Sequence, residues 1–180
     1  MRLHTKRLTL RELEESDHIA ANAYESDPEV VQYMSFDSRS LDGSLEFIRR
    51  VRTESQQAPR RLFDLAMTLT EGALIGRCGL RVNRPEHREA ELWYIVRRDC
   101  WGQGYAYEAV HALMAFAFAT LDVHRIYVDC DPRNTGSIRL AEKLGMRREG
   151  LLRENWFLKG EWCDSAILSV LEHEWHSQNR

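Results

Sequence analysis

The sequence predicts a single α/β domain, and three observations carry that expectation. At 180 residues the chain can bury one sizeable core but is short for several. Its 43% hydrophobic and 29% charged residues are the proportions of a soluble globular protein. Strand-like and helix-like periodicities follow one another in the order β-α-α-β-β-β-α-β-α-β-β, with no repeat, linker or low-complexity segment.

Each element has its own justification. "RLTLREL" (7–13) alternates apolar and polar residues as a half-buried strand does. Ser16 or Asp17 suits the N-cap of a short helix that Pro28 breaks, and Ser40 or Asp42 suits the cap of a second helix running to about Arg52. Residues 62–69 and 73–82 are strand-like around the turn "TEG" and predict a hairpin, after which "NRPEHRE" is a polar loop and 90–96 a further strand. From Tyr105 to Leu121 the period becomes helical: Ala106, Ala109, Val110, Leu113 and Ala117 share one face, while Met114, Phe116 and Phe118 widen it. "RIYVDC" (125–130) is a strand, and the segment 134–146 predicts a short helix that Gly145 stops. "RREGLLRENWFL" and "EWCDSAILSVL" are two strands joined at "KGE". The His-Glu-Trp-His run at 173–176 supplies half a metal site with no third ligand in evidence, so a frayed polar C-terminus is expected and no metal.

Charge and cysteine usage narrow the function. A net charge of −3, from 25 basic and 28 acidic residues, gives no general affinity for polyanions, so nucleic acid is not expected as a partner. The start "MRLHTKRLTL" lacks the apolar core of a signal peptide, and the longest apolar run, 112–121, is far short of a membrane span. Cys78, Cys100, Cys130 and Cys163 lie far apart and read as reduced thiols of a cytoplasmic protein.

The chemistry-bearing stretch is "CWGQGYAYEA" (100–109), placed between a strand and a helix. The first N–H groups of a helix lack intrahelical partners and carry partial positive charge, which makes such a junction an anion site. Gly102 and Gly104 let backbone approach a ligand because no Cβ intervenes. A dinucleotide fingerprint is disfavoured, because Tyr107 is large and no βαβ unit precedes the loop; a P-loop is excluded because Gly-Lys-Ser/Thr is missing.

"WGQGYAYEA" resembles motif A of the GNAT superfamily of N-acetyltransferases, Q/R-x-x-G-x-G/A, with Trp101 in the Q/R place, Gly104 as the invariant glycine and Ala106 as the final small residue. Trp101 departs from the pattern, but the groups at work are backbone amides. "NTGSIRLAEKLGMRREG" (134–150) resembles the second half of the signature, and "RLTLRELEESD" the superfamily's first strand and helix. The branch most similar is the ribosomal-protein alanine N-acetyltransferase-like group; the spermidine acetyltransferases are also similar, through "HRIYVDC" and "GLLRENWFLKGEWCD".

The resemblance implies a mixed, mostly antiparallel sheet flanked by helices, forming one N-acetyltransferase domain over 1–180 with its core at about 7–172. It implies acetyl-CoA as cosubstrate: amides of Gly102, Gln103, Gly104, Tyr105 and Ala106 around the pyrophosphate, the strand edge at Tyr94, Ile95 and Val96 along the pantetheine, and Asn134 bonded near it. Arg97, Arg98 and Lys143 suit phosphates, and suit a solvated surface equally. The acceptor implied is a primary amine, such as a protein N-terminus, a polyamine or an aminoglycoside. Glu91 is the candidate base and Ser137 the candidate acid, since Ala141 occupies the place where many members carry tyrosine. A homodimer is compatible with the likeness. A non-catalytic acyl-CoA sensor would keep the same motifs.

Plainer readings stand beside these. Asn134 fits an N-cap, Ser137 a helix serine bonding its own backbone, and Glu91 an edge carboxylate reaching solvent or Arg88. Cys130 reads as a core thiol, and Trp156 and Trp162 as core or sheet cover ahead of acceptor lining. Eight acidic residues and no Lys or Arg fall between residues 12 and 38. If the first two helices border the acceptor, as the resemblance implies, that run forms a negative rim attractive to a cationic amine.

Overall fold

The computed structural model describes residues 1–178. Its strands are β1 Arg2–His4, β2 Leu8–Glu12, β3 Leu62–Leu69, β4 Leu74–Arg84, β5 Glu89–Val96, β6 Arg125–Cys130, β7 Arg147–Leu158 and β8 Glu161–Leu171. Its helices are α1 His18–Glu25, α2 Pro28–Val31, α3 Leu41–Ser55, α4 Tyr105–Thr120, α5 Thr135–Lys143 and α6 Glu172–Gln178. The eight strands form one mixed sheet in the order β1-β2-β3-β4-β5-β6-β8-β7. β5 runs parallel to β6, with Glu91 opposite Tyr127, whereas β1–β2, β2–β3, β3–β4, β6–β8 and β7–β8 are antiparallel. The α/β class and the mixed sheet expected from the sequence are those observed.

Residue packing divides the chain into two units, one built from Met1–Arg81 with Trp93–Leu113 and the other from Val82–Leu92 with the chain from Met114 onward. In the first, α1, α2 and α3 bury Leu13, Tyr24, Val31 and Ile48 with Leu62, Ala66, Leu74 and Ile95 of the sheet. Local chemistry fixes where these helices begin. Ser40, rather than Asp42, caps α3 by accepting from the Gly43 N–H at 3.1 Å. Pro28 ends one helix and also opens the next, sitting in the first turn of α2 while Asp27 accepts from the Glu29 N–H.

A buried ionic network lies inside this unit. Glu25 has no exposed surface. Its carboxylate meets Arg39 at 2.5 Å, Arg77 at 3.4 Å and the Ser44 hydroxyl at 2.7 Å. Arg77 also bonds Asp64 at 2.9 Å and lies 4.3 Å from the Phe47 ring centre. Burial drives the Asp64 carboxyl pKa up, with Arg77 opposing it. Directly opposite Asp64 in the β3–β4 ladder is Gly79, where a Cβ would fall 2.3 Å from the Trp93 indole. The glycine therefore makes room for a ring that reaches across the strand, bringing its Nε1 to 3.4 Å from Asp64.

In the second unit the C-terminal segment is not frayed, contrary to the sequence expectation. Residues 172–178 form α6, and Trp175 is buried with its ring stacked 5.6 Å from Phe118. One apolar residue in a polar run carries no readable period, so the helix was invisible in the sequence. β1 went unread for a similar reason: it is three residues long, and its pairing with β2 defines it.

Removing the Glu25 carboxylate leaves Arg39 and Arg77 buried without their partner. Glu25→Ala is expected to cost about 3–5 kcal/mol, read as a lowered midpoint in denaturant; a midpoint shifted by less than about 1 kcal/mol would contradict the network's role. Acid acts on a second set of pairs. Burial disfavours the carboxylates of Glu12 and Asp17, but Arg60 and the N-terminus for Glu12, and Arg11 with the Glu14 N–H for Asp17, hold both pKa values below the usual range. Such groups stabilise the fold above the unfolded-state pKa and cease to do so as pH falls through the folded one. Stability is therefore expected to fall between about pH 5 and pH 3, and a flat profile over that window would contradict the assignment.

Candidate active site

The Gly-rich loop belongs to the first unit. β5 ends at Val96, and the Arg97 N–H donates to the Ile75 carbonyl at 2.8 Å. The chain then turns through Gly102 at φ +72° and Gly104 at φ +81°, both in the left-handed region that favours glycine. A Cβ on Gly102 would meet nothing within 4 Å, and one on Gly104 would meet only the Arg7 Nη2, at 3.5 Å. The loop therefore faces open space. The helical bond from the Glu108 N–H to the Gly104 carbonyl, 3.1 Å, opens α4, so the amides of Tyr105 and Ala106 lie ahead of the ladder at the positive end of a 16-residue helix.

Arg7 completes this arrangement and was not foreseen. The Glu108 carboxylate, one turn into α4, accepts from the Arg7 Nε and backbone N–H at 2.7 Å each and from the Thr5 hydroxyl at 2.6 Å. Burial works against the charged form of Glu108, but Thr5 and Arg7 keep its pKa low. Held this way, Arg7 donates to the Gln103 carbonyl at 2.9 Å and sits 4.4 Å from the Tyr105 ring centre. A cation thus stands beside Gly104. A residue so far from the loop in sequence gives no local signal of that role.

Other loop residues are structural in part. Trp101, in the Q/R place, donates its indole N–H to the Val96 carbonyl at 2.7 Å and so ties the loop to the end of β5. Gln103 donates to the Asp99 carbonyl at 2.8 Å. Ile95 and Val96 are buried and Tyr94 half-buried. Of the arginines considered for phosphate, Arg97 is paired with Asp99, and Arg98 with Asp27 and Glu29. The same pairing corrects the expected negative rim. Glu12 meets Arg60, Glu15 meets Arg49, Asp17 meets Arg11, Glu25 meets Arg39, and Asp27 and Glu29 share Arg98. Arginines that flank the run (Arg11, Arg39) and others farther along the chain (Arg49, Arg60, Arg98) neutralise most of it, and which carboxylate each one meets is set by the fold.

The remaining candidates belong to the second unit. Asn83 donates to the Glu91 carboxylate at 2.9 Å and to the Tyr127 hydroxyl at 3.1 Å. Arg88, offered above as a partner for Glu91, is instead engaged with Asp122 and Glu172. Burial raises the Tyr127 pKa, so its phenol stays protonated. Asn83 and Tyr127 are thus partners of the candidate base that sequence reading missed. Asn134 accepts from the Ser137 N–H at 3.1 Å and so caps α5. The Ser137 hydroxyl bonds the Cys130 thiol, which burial pushes up to about 11. Lys143 lies exposed in the last turn of α5, and Ala141 is buried. Trp156 and Trp162 are exposed, so neither belongs to the core. Among the described residues no group of three or more His, Cys, Asp or Glu is placed to hold a metal, and no helix is long and apolar enough to cross a membrane.

Comparison with known proteins gives the family. Residues 7–147 match the family model described as "Acetyltransferase (GNAT) domain", and the chain belongs to that family. It is an N-acetyltransferase. An uncharacterized N-acetyltransferase p20 of Bacillus licheniformis is 34% identical over 174 residues, which cover 96% of this chain and 97% of that one. The crystal structure of a GNAT-family acetyltransferase from Bacillus anthracis superposes with a TM-score of 0.87 at 28% identity, covering 96% of this chain and 99% of the other. A Ribosomal L7/L12 alpha-N-protein acetyltransferase, solved in complex with coenzyme A, has a TM-score of 0.86 at 17% identity over 95% of this chain and 98% of its own, a likeness of fold.

The loop makes a direct test. Gly104→Glu places a bulky anion in the left-handed turn beside the open amides, and is expected to weaken acetyl-CoA binding by a hundredfold or more (about 2.7 kcal/mol) in calorimetric titration. Circular dichroism should be unchanged, because the loop is exposed. Unaltered affinity would remove the loop from the site.

Proposed function

We propose that this chain acetylates a primary amine with acetyl-CoA, acting as one catalytic domain, and that its acceptor is the α-amine of a protein or peptide N-terminus. The observation that carries the reading is the junction at Gly102 and Gly104, where open backbone amides, a helix N-terminus and the guanidinium of Arg7 converge. That donor set suits a pyrophosphate: it is cationic, rich in N–H groups and unobstructed by any Cβ. Amides of residues 102–106 with Arg7 would hold the phosphates, Tyr94 to Val96 would align the pantetheine, and Asn134 and Lys143 would serve as further contacts. Acetyl-CoA supplies an activated acetyl thioester.

Two side chains have the chemistry for the remaining roles. Glu91, steadied by Asn83 on one oxygen, keeps a second oxygen to accept a proton from the amine, directly or through water. Ser137, oriented by α5 and Cys130, has a hydroxyl that can donate to the departing sulfur. An α-amine, with a pKa of roughly 7.7–8.0, needs little help from a base, whereas a lysine near 10.4 needs much more. The arginine-paired acidic run supports an α-amine over a polyamine, because a polycation would have to displace guanidinium partners.

Glu91→Gln keeps the shape and removes the base. Its rate is expected to fall at neutral pH and to recover largely at high pH, where the amine is already deprotonated; an equal loss at every pH would mark Glu91 as structural. Ser137→Ala is expected to lower kcat about tenfold, or ~1.4 kcal/mol, with acetyl-CoA affinity unchanged. Wild-type turnover would leave Ser137 as a helix residue only. Because Ala141 is buried, a tyrosine introduced there has no room to restore the donor. Acetyl-CoA consumption should be faster with peptides of free N-terminus than with spermidine, and the reverse order would move the assignment to polyamines.

A further inference from the structure

The sheet face that carries Glu91 extends beyond it. Along β6, Ile126 and Val128 are buried, and Cys130 on that side meets Ser137 of α5; Arg125, Tyr127 and Asp129 alternate with them, lie on the other face and are half-buried. Ile167, opposite Asp129 on β8, is half-buried as well. Asp129 therefore shares an open face with Tyr127 and Glu91. Glu91 stands opposite Tyr127, and Asp129 follows two residues along β6. At about 3.3 Å per residue and about 4.8 Å between strands, the two carboxylates are rooted roughly 8 Å apart. Each is met by a neutral donor: Asn83 gives Glu91 one N–H at 2.9 Å, and the Trp156 indole gives Asp129 one at 3.4 Å. Neither has an ion pair with another described residue. Arg125, on the same face, is committed to Glu89 and Glu149 and lies 5.2 Å from the Tyr127 ring centre.

One ammonium group cannot span that gap, whereas an acceptor with two positive groups fills both places. Trp156 suits the second of them. Its side chain is 49% exposed, and an indole face beside a carboxylate attracts a cation both through the ring quadrupole and through charge. We propose that Asp129 and Trp156 form a subsite for a lysine or arginine side chain at the second residue of the acceptor, whose α-amine lies at Glu91. The inference rests on the α-amine reading above. A side chain with a stem of three or four methylenes reaches across the gap and lays that stem on the ring while its charge meets Asp129. The subsite selects which N-terminus is taken and has no part in the proton transfer at Glu91.

Steady-state acetyl-CoA consumption by the full chain tests this with peptides of one length and free N-terminus that differ only at the second residue: Lys, Gln or Glu. The lysine peptide is expected to show a KM about tenfold below that of the glutamine peptide at similar kcat, with the glutamate peptide poorest. Asp129→Asn and Trp156→Ala should each narrow the gap between the lysine and glutamine peptides. Asp129→Lys should reverse the order, so that the glutamate peptide becomes the preferred one, a gain that a misfolded protein cannot produce. A wild type indifferent to the second residue, or an Asp129→Lys variant that keeps the preference for lysine, would overturn the inference and leave the α-amine reading standing. Spermidine consumed faster than every peptide would remove that reading, and this inference with it.

Discussion

The passage from β5 into α4 is the constraint on which the functional reading rests. Two residues there adopt positive φ, and both are glycine. An L side chain at either place would be strained and would also stand in front of the helix amides. The turn leaves the amides of the first helical residues ahead of the hydrogen-bonded ladder, at the end of the helix where dipole and unpaired donors have the same sign. Glu108, one turn further on, converts that local geometry into a site by fixing Arg7 beside it. Trp101 ties the same loop back to Val96.

Arginine is the second theme of the first unit. It pairs with six of the eight carboxylates of the acidic segment and enters the interior with Glu25 and Asp64. A buried ion pair is costly to form and costlier to break, so this network favours one packing of α1 and α3 over alternatives more than it adds net stability. The aromatic rings of Phe36 and Phe47 lie against the same guanidinium groups, at 3.8 and 4.0 Å from Arg39, and shield them while satisfying their charge. What looked from the sequence like an electrostatic lure is in large part internal structure, and the choice of acceptor shifts accordingly.

Much of this was legible in the sequence wherever a local pattern carried it. The strands at 62–69 and 125–130 were read to the residue, and the helix at 105–120 to within one, because periodicity and flanking turns agree there. The Gly-x-Gly junction was legible because left-handed turns leave glycine as a trace. Contacts between distant positions were not. Nothing near residue 7 announces a partner at 108, and nothing near Asn83 announces that its amide will bridge Glu91 and Tyr127. Trp156 and Trp162 were misjudged because composition favours burying an indole, whereas exposure is decided by what the fold places over it. α6 was missed because its single anchoring ring, Trp175, has its partner 57 residues earlier in the chain, at Phe118.

The central claim is that backbone amides of the loop, rather than any one side chain, receive the pyrophosphate. Amide resonances of the ¹⁵N-labelled protein, followed during titration with coenzyme A, test it most directly. The largest shifts should fall on Gly102, Gln103, Gly104, Tyr105 and Ala106, because an anion hydrogen-bonded to an N–H changes that nucleus first. Saturable binding that leaves those five amides unmoved would contradict the claim.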